Sequence, residues 1–114
     1  MRYTYIASDN STSDATAFNA AGNDCFVKKI IFGNPTDADV LHLYNKVSAT
    51  GHASGMGSVS TNSLALKFVQ PTHAEGCDWV YELNLSGEFN PGLQLDGGCV
   101  HTNGDNITII WDDK

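Results

Sequence analysis

A chain of 114 residues with 41% hydrophobic content and a net charge of −7 has the size of one domain and enough apolar surface to fold without a disulfide scaffold. Its 6 basic against 13 acidic residues exclude a surface that wraps nucleic acid, because phosphate neutralisation needs clustered lysine and arginine, and Lys28-Lys29 is the only basic pair. No apolar run approaches the length that spans a bilayer, and residues 1–6 lack the apolar core of a signal peptide, so synthesis and folding in the cytoplasm are expected, with no membrane partner.

Residues 2–7 alternate, Tyr3 and Tyr5 against Thr4 and Ile6, and form either a first strand or an arm that adds to a neighbour's sheet. Residues 8–24 are polar and aperiodic with one large apolar side chain, Phe18, so residues 1–24 are expected to be a polar N-terminal arm ahead of a sandwich domain over 25–114. Residues 25–32 predict a central strand, with Phe26, Ile30 and Phe32 on one face and Val27 and Ile31 on the other. Gly33, Asn34 and Pro35 stop it. Residues 40–47 resume the two-residue period, Leu41 and Leu43 against Val40, His42 and Tyr44, and these two strands are expected to pair antiparallel.

Residues 48–63 are a run of small residues longer than ordinary connections, either a solvated link or an interaction loop with His52 and Met56 as adaptable contacts. The GxxxxGK[ST] pattern of a phosphate-cradling loop is missing from it. A strand at residues 64–69 sets Leu64, Leu66 and Phe68 against Ala65, Lys67 and Val69. The strongest alternation follows at residues 79–85, where Trp79, Tyr81, Leu83 and Leu85 share one face that the other strands are expected to cover. Turns at residues 89–92 and 96–98 bracket a short strand holding Leu93 and Leu95, then come Cys99, Val100 and His101. Beyond Asn103, Gly104 and Asp105 the last strand puts Ile107, Ile109 and Trp111 on one face. The pattern is that of an all-β chain, a two-sheet antiparallel β-sandwich or jelly roll of about seven to eight short strands.

Chemistry is sparse along this scaffold. His42, His52, His73 and His101 are dispersed and lack HExxH spacing, and Asp37, Asp39, Asp96 and Asp105 sit in turns without a calcium-loop pattern, so neither a metal nor a cofactor is expected. Cys25, Cys77 and Cys99 are odd in number and lack CxxC spacing, which points to buried thiols, with one disulfide plus a spare thiol as the alternative. Glu75, Glu82 and Glu88 read as surface charges, there is no GxSxG, and no enzymatic activity is expected. Sites of the form Asn-x-Ser/Thr at Asn10, Asn84 and Asn106 are chance matches in a chain without a secretory signal.

Residues 27–34 (Val-Lys-Lys-Ile-Ile-Phe-Gly-Asn), 40–46 (Val-Leu-His-Leu-Tyr-Asn-Lys), 89–98 (Phe-Asn-Pro-Gly-Leu-Gln-Leu-Asp-Gly-Gly) and 106–111 (Asn-Ile-Thr-Ile-Ile-Trp) resemble, in element order and turn placement, the small β-sandwich structural proteins of tailed bacteriophage virions. That family includes capsid decoration, or cement, proteins and head and neck accessories. The resemblance covers residues 25–111 and implies a non-enzymatic homotrimer on the outer capsid surface, partnered by the major capsid protein. Contacts are then expected at Tyr3, Tyr5, Ile6, Phe18, His52 and Met56. The alternative is a carbohydrate-binding module with Trp79 and Trp111 as stacking platforms, although both lie on the apolar side of their strands, which favours the core.

Overall fold

Ile107, Ile109 and Trp111 alternate with residues that face away from them, and this regular two-residue period makes the last strand the spine of the molecule. The computed structural model describes residues 1–19, 22–34, 39–45, 64–70 and 80–114. Among these there is no helix, and the strands are β1 (Arg2–Ile6), β2 (Thr16–Ala17), β3 (Asp24–Asn34), β4 (Val40–Tyr44), β5 (Leu64–Val69), β6 (Tyr81–Asn84), β7 (Leu93–Asp96), β8 (Cys99–Thr102) and β9 (Asp105–Asp113). They form two antiparallel sheets packed together as a β-sandwich. The first has the order β1-β9-β3-β6, with β7 also on β3, and the second has the order β2-β8-β4-β5. Between them lie Val27, Ile30 and Phe32 of β3, Leu41 and Leu43 of β4, Leu95, Val100, and the inward row of β9. Fully burying one such side chain contributes about 1.5–3 kcal/mol, so this facing pair of apolar rows is what holds the sheets together.

Four expectations from the sequence need correction. Residues 1–24 are not an arm, because β1 pairs with β9 over five residues and β2 joins β8, so the segment enters both sheets. Backbone hydrogen bonding supplied what its polar side chains do not. Strands β3 and β4 do not pair with each other: they lie in opposite sheets, and their apolar rows meet across the core. The face expected to organise the fold is a short edge strand, β6, whose Tyr81 and Leu83 are only half-buried; Trp79 lies outside the described residues.

The fourth correction concerns β3. Its register against β9 shifts between Val27 and Lys29, a bulge that places an extra residue on β3. Strict alternation from Phe26 to Phe32 therefore fails, and the inward set is Cys25, Val27, Ile30 and Phe32, with Phe26 and Ile31 half-buried on the outer face. The same bulge divides the far side of β3 between two partners: β6 pairs with Lys29–Phe32 and β7 with residues 24–27. The chain between β6 and β7 leaves the sheet at that break.

Candidate functional site

The excursion between β6 and β7 is short and heavily pinned. The Leu85 N–H donates to the Lys28 carbonyl at 2.9 Å, and Gly87 and Asn90 exchange backbone bonds of 2.9 and 3.2 Å. The Asn90 side-chain oxygen accepts the Gly92 N–H at 3.0 Å, and Lys28 Nζ donates to the Pro91 carbonyl at 2.8 Å. Glu88 and Phe89 form the tip, and Phe89 is 94% exposed. An aromatic ring held in water on a rigid turn is a ready anchor, since burial against a partner gains about 2–3 kcal/mol while little backbone order remains to be lost.

The outer face of the first sheet adds a second apolar surface. Tyr3 and Tyr5 are 67% and 57% exposed. Register aligns Tyr3 with Ile110 and Lys29, and Tyr5 with Thr108 and Ile31, while Lys29 meets Glu82 at 3.4 Å. The Tyr5 hydroxyl donates to Asn106 Oδ1, which fixes the direction of that ring. Of the residues expected to make contacts, Tyr3 and Tyr5 therefore stand on an open surface, whereas Ile6 and Phe18 are buried in the core and correct that part of the expectation. Their alternation partners and the T-shaped contact of Phe18 with Trp111 draw them inward. His52 and Met56 lie outside the described residues. Phe89 was missed because Asn90, Pro91 and Gly92 read as a turn; a large apolar residue placed beside a turn was the available signal.

A cleft of about 800 Å³ opens beside Arg2, Phe18, Asn19, Asn23, Asp24 and Trp111. Trp111 is 6% exposed, the Arg2 guanidinium lies 5.4 Å from its ring centroid, and its indole N–H donates to Thr4 Oγ1 at 3.1 Å. With one face covered and its polar edge used, Trp111 is a core residue and offers no flat platform for a sugar. Trp79 lies outside the described residues.

On the outer side of the second sheet, a buried polar chain joins β4 to β8. His42 and His101 are cross-strand partners, and the Tyr44 hydroxyl lies 3.2 Å from His42 Nδ1 and 3.0 Å from His101 Nδ1. His101 Nε2 sits 2.8 Å from the Ser13 carbonyl. A carbonyl only accepts, so neutral His101 carries its proton on Nε2 and presents Nδ1 as an acceptor. Tyr44 must then donate to His101 and accept from a protonated His42 Nδ1. This leaves the His42 Nε2 lone pair buried without a hydrogen-bond partner among the described residues.

Burial, with Lys67 and His101 nearby, holds the His42 imidazole below its ordinary range. In the unfolded chain it titrates near about 6.5. Between the depressed folded value and that value the unfolded chain binds more protons, so stability present above the unfolded value is lost as pH falls. Urea unfolding midpoints are accordingly expected to drop from pH 7.5 toward pH 5, and to drop less in a His42→Phe variant. An equal drop in both proteins would assign the effect to other groups.

Burial also pushes the Cys99 thiol up to about 11 and raises Cys25, so both remain protonated and unreactive at neutral pH. Cys77, His52, His73 and Asp37 lie outside the described residues. Among the described residues no three His, Cys, Asp or Glu side chains gather as metal ligands. Comparison with known protein families, characterised proteins and solved structures finds no match to this chain.

Proposed function

We propose that the protein is a virion structural protein of a tailed bacteriophage, a decoration protein that attaches to the outer capsid shell as an oligomer and reinforces it. The observation that carries this reading is Phe89, an anchor 94% exposed on a turn that its own hydrogen bonds make rigid. The resemblance of residues 25–111 to small phage sandwiches supplies the setting, and the acidic surface suits a protein that must stay soluble until it docks. The partner surface is the major capsid protein, offering an apolar recess for the phenyl ring with a cationic group near Glu88.

The test is co-sedimentation of purified protein with expanded capsids of the host phage. Phe89→Asp is expected to weaken attachment at least about tenfold, the equivalent of roughly 1.4 kcal/mol, with its unfolding midpoint unchanged because Phe89 contributes nothing to the core. Attachment equal to that of the native protein, or no attachment by either, would overturn the reading.

A further inference from the structure

Among the described residues the first sheet ends at β1, and this edge has few of the devices that close natural edges: its one charged side chain, Arg2, is paired with Asp113 at 2.8 Å. Its five residues include no proline, lysine or glycine, and its pairing with β9 runs without a bulge. Two backbone bonds decide which of its groups are unused. The Gly97 N–H donates to the Asn23 carbonyl at 3.2 Å, so Asn23 faces the β7 side, and the Lys114 N–H donates to the Asp24 carbonyl at 3.1 Å, so Asp24 faces β9. Successive residues of a strand point their backbone groups to opposite sides. On β9, Lys114, Asp112, Ile110 and Thr108 therefore face β3, and Trp111, Ile109 and Ile107 face β1. Their partners Arg2, Thr4 and Ile6 bond inward to β9, which leaves the N–H and C=O groups of Tyr3 and Tyr5 pointing off the edge. None of the remaining backbone bonds among the described residues involves either tyrosine.

We propose that β1 pairs with β1 of a second copy of this chain, antiparallel, with Thr4 on the two-fold axis and Tyr3 opposite Tyr5 of the other copy. A residue with outward groups must meet another with outward groups, and inward residues then meet inward ones, which restricts the axis to Tyr3, Thr4 or Tyr5. An axis at Tyr3 would draw in Met1, whose amino group is held by Asp112 at 2.9 Å. An axis at Tyr5 would draw in Ala7, whose carbonyl already accepts from Asn106 at 3.2 Å, where the left-handed Asn106 (φ 57) turns its N–H back. The axis at Thr4 needs neither residue. It makes two Tyr3–Tyr5 pairs with both backbone bonds each, gathers four tyrosines in a two-by-two cluster on the outer face, and sets no like charges opposite each other. The contact is isologous and closes at two copies, in place of the trimer expected from the sequence. A five-residue edge lies at the small end of specific interfaces, below about 1,200 Å² in total, so the dimer is reversible and concentration-dependent.

This inference does not rest on the capsid reading, and its test is separate. In a Cys77→Ser background, Tyr3→Cys and Tyr5→Cys variants are mixed and oxidised. The opposed Cα atoms would lie about 5.5 Å apart, within disulfide reach, so a covalent dimer is expected from the mixture and far less from either variant alone. Tyr3→Pro removes an edge donor without touching the bonds to β9 and is expected to weaken dimerisation at least tenfold in sedimentation equilibrium. Phe89→Asp is expected to dimerise normally whatever it does to capsid attachment. A native protein that is monomeric at its highest soluble concentration, a trimer, or a dimer that resists Tyr3→Pro and fails to cross-link would each overturn the proposal.

Discussion

Replacing Gly92 with alanine is expected to cost about 3 kcal/mol or more in unfolding free energy. Gly92 has φ 125, a backbone conformation that residues with a side chain rarely adopt, and a Cβ placed there would collide with the Val27 carbonyl oxygen. That oxygen has little room to retreat. Val27 is buried, lies at the bulge, and is paired with β9 on one side and β7 on the other, so relief would require breaking one ladder. Gly87 in the same excursion has open space around its Cβ position, and Gly87→Ala is expected to change stability by no more than about 0.5 kcal/mol. Urea unfolding of both variants checks the contrast: equal losses would mean that close packing at Val27 is not what makes Gly92 necessary. The tight approach also explains how a short excursion stays rigid enough to present Phe89.

The strands whose inward rows keep a strict two-residue period were legible in the sequence. Ile107, Ile109 and Trp111 share the inner face of β9, and Leu41 and Leu43 share that of β4, as their spacing implies. The phase of β3 was not legible, because one extra residue at the bulge reverses every later side chain while leaving composition untouched. Sheet membership was hidden for a related reason. Turn residues such as Asp96, Gly97 and Gly98 announce a reversal, but they do not say whether the chain returns within its sheet or crosses to the other, and here β7 and β8 lie in different sheets. Residues 1–24 were misjudged because composition measures side chains, whereas β1 is held by main-chain bonds to β9 and by the inward contacts of Ile6. The pairing of His42 with His101, 59 positions apart, depends on that crossing topology and could not be inferred from spacing.

Tyr44→Phe is expected to destabilise the protein by about 2–6 kcal/mol although it removes one oxygen atom. The side chain is fully buried, so the phenyl ring would remain packed and the loss is confined to the hydroxyl. That hydroxyl serves both histidines: it donates to His101 Nδ1 at 3.0 Å and accepts from His42 Nδ1 at 3.2 Å. Without it, one buried acceptor and one buried donor lose their partners, at about 1–3 kcal/mol each, and His42 Nε2 already has no partner among the described residues. His101 keeps its bond to the Ser13 carbonyl and hence its tautomer, whereas nothing then holds the proton of His42 on Nδ1. A double-mutant cycle with His42→Phe separates this account from simple loss of packing. If the hydroxyl acts through His42, Tyr44→Phe should cost at least about 1 kcal/mol less in the His42→Phe background; additive losses would show that the two side chains are not coupled. Nitrogen-15 shifts of the imidazoles give an independent reading. The native protein should show opposite tautomers, Nδ1–H on His42 and Nε2–H on His101, and Nδ1–H on both rings would mean that the Ser13 carbonyl does not fix the proton of His101.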